Sequence, residues 1–371
     1  MKRRDFLVLA GGTIVIAGGM SYLLSDKNNF VRDDFKIKFS DNFLFKPNER
    51  EILSLASLAP SGHNTQPWFI KYLEPYHWII CNDKSKWLHA VDPTQRETIL
   101  SIGAFIQNLK YAAGNAGYNC ELEHLALSNQ DENIMSVKLI KAENAVVFNI
   151  DKIINRRTIR SNYLSDLFTK EDTDVLFKDD KDFLNFIPIG SKEYQYLNEQ
   201  TIVANKIQSY RDAAEKELSE WIRFSKKDAE KYGDGLTPAS MEIEGIAGWV
   251  VRNFYDRQSV MKNSFRDKNI ENVIKQVSQS AGWLLITSKD NAVESLLEAG
   301  MRMQRLFLKV RDRGIAVHPM TQILEEKVTS QTVNQSIGVR DNIQFILRMG
   351  YVKAYAKPVS LRRPVEWFVK I

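Results

Sequence analysis

The chain has 371 residues, 44% of them hydrophobic, and a formal net charge of +5, which is length enough for two core-bearing units. Lys2, Arg3 and Arg4 supply three of the positive charges, and no basic block or aromatic-interleaved basic stripe follows, so the composition speaks against nucleic-acid binding. Two cysteines, Cys81 and Cys120, are too few for a disulfide framework, and five scattered histidines lack metal-ligand spacing.

In chain order, the basic start Lys2-Arg3-Arg4-Asp5-Phe6-Leu7 leads into a Gly-softened apolar run ending at Leu24. The pattern resembles a twin-arginine (Tat) export signal, which sets residues 1–24 apart from the folded protein. The alternative is a retained N-terminal anchor, because at about 1.5 Å per residue the run nearly spans a bilayer. Residues 25–45 read as an extended lead-in. A helix is predicted over Asn48–Leu58, followed by the polar turn Ala59-Pro60-Ser61-Gly62-His63-Asn64-Thr65-Gln66-Pro67-Trp68. That turn offers backbone N–H groups and the carboxamides of Asn64 and Gln66, which suit a polar planar ligand. An ordinary Pro/Ser/Gly/Asn loop has the same composition.

Strands are predicted at Trp68–Leu73 and His77–Asn82, then a helix from Thr94 to Ala116 whose Ile99, Ile102, Ile106, Leu109 and Ala113 mark one apolar face. Gly117 closes it, and a strand at Ala145–Ile150 ends the first half. The second half is expected to hold a polar helix over Lys192–Phe224, a Gly/Pro-punctuated segment from Tyr232 to Pro238, and a helix-compatible stretch from Ile243 to Phe254. A strand at Trp283–Thr287, a helix from Ala292 to Arg313 ended by Gly314, and a strand through Gln344–Tyr355 complete it.

The two long apolar helices share a pattern. Gly103, Gln107, Leu109 and Gly117 match Gly300, Gln304, Leu306 and Gly314 at a constant offset of 197 (300 minus 103). A glycine inside a helix costs roughly 1 kcal/mol against alanine, so each half is expected to use it for close backbone approach. A duplicated chain of this kind can fold as a dimer within one polypeptide.

With these pieces in place, the chain resembles the nitroreductase family of FMN enzymes. Three motifs carry the resemblance: the Ala59–Trp68 turn, Arg156-Arg157-Thr158-Ile159-Arg160, and Arg362-Arg363-Pro364-Val365-Glu366. Asp92-Pro93-Thr94-Gln95-Arg96-Glu97, leading into Ile102-Gly103-Ala104, resembles the single-chain, pseudo-dimeric branch. The resemblance implies an α+β, nitroreductase-like fold of two tandem degenerate halves, 46–152 and 153–371, forming an intramolecular pseudo-dimer around antiparallel or mixed sheets. It implies FMN as cofactor, held by Pro60, Ser61, Gly62, Asn64 and Gln66 of the first half and by Arg156, Arg157, Thr158, Arg160, Arg362 and Arg363 of the second. Pro319, Met320, Thr321 and Gln322 match the loop beside flavin N5. Because the turn lies in one half and the arginines in the other, one FMN per chain is expected. No side chain is assigned as a catalytic acid or base.

The segment 221–254 has no counterpart in minimal family members, and is read either as a lid over the flavin or as a peripheral helical hairpin. The expected activity is reduction of a small electrophile, a nitroaromatic or a quinone, with a membrane quinol or a periplasmic carrier as possible electron donor. The competing expectation is an FMN storage protein beneath a closed lid. Export by the Tat route would place the protein in the periplasm or on the outer face of the cytoplasmic membrane, touching the membrane only through an uncleaved N-terminal segment.

Overall fold

The computed structural model describes Val31 and residues 45–371; the proposed export signal lies outside the described residues. Helix α1 (Pro47–Ala56) precedes the polar turn, and strands β1 (Trp68–Glu74) and β2 (His77–Asn82) lead to α2 (Arg96–Asn115). Strands β3 (Tyr118–His124) and β4 (Asn133–Lys141) follow, then α3 (Lys170–Phe177), β5 (Leu184–Pro188), α4 (Lys192–Tyr210), α5 (Asp212–Trp221), α6 (Lys226–Tyr232), α7 (Gly245–Phe254) and α8 (Asn263–Val277). The chain closes with β6 (Gly282–Ser288), α9 (Val293–Val310), β7 (Ile315–Pro319), β8 (Asn342–Tyr351) and a two-residue β9 (Val369–Lys370).

The architecture is α+β, with two sheets ordered β3-β4-β2-β1-β9 and β7-β8-β6-β5. Adding four to each of the first four strand numbers converts one order into the other. Among the described residues, the pairings between these strands are antiparallel except β1 with β9, which is parallel. The last strand therefore leaves the second sheet's end of the chain and extends the first sheet.

Between the sheets, α2 and α9 pack face to face, and one apolar core runs through both halves, from Ile52, Trp68 and Phe105 to Leu297, Phe307 and Leu347. A Cβ on Gly103 would lie 2.1 Å from the Leu297 carbonyl oxygen, and a Cβ on Gly300 would lie 2.0 Å from that of Leu100. Leu100 and Leu297 are themselves 197 residues apart, so the two contacts are reciprocal. The polar pairs beside them follow the same rule: Gln304 Nε2 donates to Asn108 Oδ1 at 2.7 Å, and Arg305 donates to Gln107 Oε1 at 3.1 Å. Such reciprocity is the pattern of a two-fold interface. Gly117 and Gly314 end the two α2- and α9-related turns in left-handed conformations, where a side chain would be strained.

Several sequence expectations are corrected. The stretch from Ala145 to Ile150 is not a strand; a short helix, Ile150–Ile154, begins there, and the first sheet instead takes β3 and β4. Alternation is what makes those strands, as in the buried Met135, Val137 and Leu139 of β4. The predicted Lys192–Phe224 helix is two helices, because Arg211 adopts an extended conformation that breaks the hydrogen-bond ladder between α4 and α5. The last long strand stops at Tyr351 rather than Tyr355.

Gly103→Ala tests the helix crossing. Alanine favours a helix by roughly 1 kcal/mol, but a collision with backbone that cannot step aside costs about 1–3 kcal/mol. The variant is expected to unfold at lower urea concentration than the parent, and Gly300→Ala to do the same. Their effects should not add, because both act at one helix crossing.

Candidate functional site

The polar turn is held in an unusual backbone conformation: His63, Asn64 and Gln66 all have positive φ, at 46°, 55° and 55°. Such geometry in non-glycine residues persists where surrounding contacts over-determine it. Those contacts are dense. The Ser61 hydroxyl accepts from the Gln66 backbone N–H at 2.9 Å. Asn64 Nδ2 donates to the carbonyls of Gly235 and Leu361, and its Oδ1 accepts from Arg362 at 2.8 Å. Gln66 Nε2 donates to the Gly233 carbonyl, and its Oε1 accepts from the Arg363 backbone N–H at 3.0 Å. Arg363 donates to the carbonyls of Gln66 and Trp68.

Four of the expected flavin ligands, Asn64, Gln66, Arg362 and Arg363, are thus joined to one another and to backbone. The sequence motif is present, but the structure employs these side chains to lock the turn. Burial also lowers the pKa of the Arg363 guanidinium, as expected for a cation taken out of water.

The second arginine motif approaches the same turn. Arg156 donates to the Leu58 carbonyl, which also accepts from Arg362, and its guanidinium lies 5.4 Å from the Phe307 ring centroid. Burial first, and the Arg160 charge second, lower His63 to about 4, so its ring is neutral near neutral pH. The motif is positioned from below by Arg348 of β8, which is fully buried and donates to the Arg160 carbonyl. Its guanidinium stacks 4.2 Å from the Tyr163 ring centroid. Burial, then Arg348 and Arg160, hold His318 well below its ordinary pKa, in keeping with a structural role.

On the outward side of the motif stands Glu242, from the segment between α6 and α7. It accepts from the Arg160 backbone N–H at 2.9 Å and from the Ser161 hydroxyl, and lies 3.8 Å from the Arg157 guanidinium. Arg160 donates to the Ser240 carbonyl at 2.6 Å, and Arg157 to the Lys357 carbonyl at 2.8 Å. Thr158 is half-buried within the same loop.

The loop after β7 reaches the turn from the opposite side. Pro319 ends the strand, Met320 is buried and donates its N–H to the Ile346 carbonyl, and Gln322 starts a short helix. The Thr321 hydroxyl lies 3.2 Å from a Glu97 oxygen and 3.0 Å from a Glu325 oxygen. The other Glu97 oxygen would lie 3.6 Å from a Cβ on Gly62, so Glu97 connects the turn with the Thr321 loop. The Thr321 hydroxyl thus faces two carboxyls with one proton to donate between them. Burial, then Glu97, hold Glu325 well above the usual carboxyl range, against the hydrogen bonds it accepts from Gln208 and Thr321. Pro60 and Ser61 are half-buried at the edge of the same group.

Glu97 lies within the quoted Asp92–Glu97 motif and was accessible to sequence reasoning. Glu242, Glu325 and Arg348 had no signal, since each depends on which segments meet in space. A cleft of about 410 Å³ lies elsewhere, between Trp87, Trp221 and Tyr232. It does not contain the motif residues, and the convergent donors locate the candidate site better than volume does.

No family model matches the sequence. The chain is nevertheless similar over most of its length to proteins named as NAD(P)H nitroreductases. It is 20% identical over 333 residues to a protein of Serratia sp. named a probable NAD(P)H nitroreductase, PigM, covering 86% of this chain and 93% of that protein. It is 23% identical over 329 residues to the provisionally named NAD(P)H nitroreductase acg of Mycobacterium tuberculosis, covering 85% and 93%. Among solved structures, a provisionally named nitroreductase of Anabaena variabilis aligns over 88% of this chain and 93% of its own, at 10% identity and a TM-score of 0.43. A nitroreductase of Bacteroides fragilis with bound FMN aligns over 58% and 96%, at 11% identity and a TM-score of 0.34.

Two variants test the site's internal ties. Gln66→Ala removes the partners of the Gly233 carbonyl and the Arg363 N–H, and an orphaned buried polar group costs about 1–3 kcal/mol; the variant should melt earlier. Asp92 accepts from the Thr98 N–H and is raised to about 7 by burial, then by Glu97. A carboxyl raised on folding contributes stability that is intact below its unfolded value and lost as pH rises through about 7. Urea midpoints should therefore fall across that interval in the parent protein and flatten in Asp92→Asn.

Proposed function

We propose that this protein is an FMN-dependent oxidoreductase of the nitroreductase type, built as an intramolecular pseudo-dimer and reducing a small electrophile such as a quinone or nitroaromatic. The observation that carries the reading is the meeting of the first-half turn with the second-half arginine motif, in a chain similar over most of its length to NAD(P)H nitroreductases. The matching strand orders and the reciprocal α2–α9 contacts support the pseudo-dimer.

The residues fit the cofactor at its phosphate end. A carboxylate, Glu242, already draws in the Arg160 N–H, the Ser161 hydroxyl and the Arg157 guanidinium, so donors converge where an anion can sit. Arg156, Arg157 and Arg160 would hold the phosphate, and Pro60, Ser61 and Gly62 would flank the cofactor together with Pro319–Gln322. FMN, when bound, would supply two-electron hydride chemistry. Thr321 ties the Glu325 carboxyl, whose pKa burial and Glu97 raise, to Glu97 beside the turn. Similarity to nitroreductases favours turnover over storage. Export by the Tat route fits a folded, cofactor-loaded protein, with a quinol or a periplasmic carrier as donor in place of a nicotinamide.

The visible spectrum of the purified protein tests this reading. A yellow protein that bleaches with a reductant and recovers with a quinone is expected, with one FMN per chain. Arg156→Ala combined with Arg160→Ala should remove the colour while the circular dichroism stays native; stoichiometric FMN in that variant would refute the site.

A further inference from the structure

Glu242 is placed with unusual care for a residue of a connecting segment. Its φ is 60°, a left-handed conformation that non-glycine residues adopt only against a cost. The segment before it is anchored. Asp234 is fully buried, at 2.6 Å from both Lys86 and Arg223, and the Gly235 N–H donates to the Asn64 carbonyl. Thr237 and Ser240 then tie each other through paired hydrogen bonds of 2.8 and 3.1 Å. The N–H groups of Met241, Glu242 and Ile243 donate to the carbonyls of Thr237, Ala239 and Pro238, and beyond Ile243 the restraint ends: Glu244–Ala247 are exposed, and a Cβ on Gly245, itself at φ 60°, would meet nothing within 4 Å. Glu242 therefore lies at the end of a turn held by single backbone hydrogen bonds, one residue before exposed chain.

The groups facing its carboxylate are cationic or donors: Arg157, the Arg160 N–H and the Ser161 hydroxyl, with Arg348 beneath the Arg160 carbonyl. A phosphate dianion in the same cradle would meet Glu242 as a like charge. We infer that Glu242 is an internal competitor for the arginine cradle: it satisfies Arg157, Arg160 and Ser161 while no phosphate is bound, and a phosphate monoester displaces it, moving the Met241–Gly245 segment outward. This rests on the flavin reading above and adds to it a residue that sets how readily the cofactor enters and leaves.

The test uses the full-length apoprotein and two flavins that differ only in the phosphate. Glu242→Gln keeps an acceptor for the Arg160 N–H and removes the negative charge. Followed by flavin fluorescence quenching, it should bind FMN about tenfold more tightly than the parent and bind riboflavin as the parent does. FMN affinity that is unchanged or weakened in Glu242→Gln would overturn the inference. If riboflavin gains as much as FMN, the effect is not on the phosphate and the inference also fails. If the parent binds neither flavin, the cofactor reading falls and takes the inference with it. Hydrogen exchange on the unmodified protein provides a check that needs no variant. Residues 241–245 should exchange faster once FMN is added, and unchanged or slower exchange there would count against displacement.

Discussion

Two backbones touching at Gly103 and Gly300 set the geometry on which everything else depends. Helices carrying side chains at a crossing are held 8–10 Å apart; here each glycine admits the carbonyl oxygen of the opposing helix where a methyl group would stand. That contact fixes the distance between the two sheets and the single core running through both. It also brings Leu58 and the polar turn, which belong to the first half, within hydrogen-bond reach of Arg156, which belongs to the second. A candidate site assembled from two halves can be no better defined than the interface that joins them.

The site combines two kinds of residue that the motifs alone do not separate. Asn64, Gln66, Arg362 and Arg363 hydrogen-bond to one another and to backbone carbonyls, stabilising a turn in which three non-glycine residues have positive φ. Arg157 and Arg160 instead meet a carboxylate delivered by a connecting segment. The first group makes the frame. The second holds an interaction that another anion can compete for. Glu97, Thr321 and Glu325 form a third, acidic corner in which burial and like charge raise the pKa of the Glu325 carboxyl.

Much of the fold was legible in the sequence because α2 and α9 obey helical periodicity and carry glycine where none is needed for a turn. Strands β1, β2 and β6 were equally plain, being apolar runs bounded by polar residues. Strands β3 and β4 were missed because alternating Glu, Asn and Lys residues on an exposed face dilute the apolar signal. The break at Arg211 carries no proline or glycine to announce it. Of the site, the turn and the arginines were legible as motifs, but the hydrogen bonds between them were not, since these depend on where residues 361–363 return in space. Glu242 and Arg348 are single charged residues in stretches without pattern, and only the tertiary fold gives them meaning.

The short β9 has a consequence for the order in which the protein can be made. Its two residues pair with Ile70 and Lys71 of β1, across nearly three hundred positions of chain, and Arg363 reaches Trp68 from the same segment. The edge of the first sheet therefore stays open during synthesis until residues 361–370 have emerged. Contacts of such separation in sequence form late, because a long loop must close before they contribute. The polar turn, encoded near the beginning, acquires its final shape among the last events of folding.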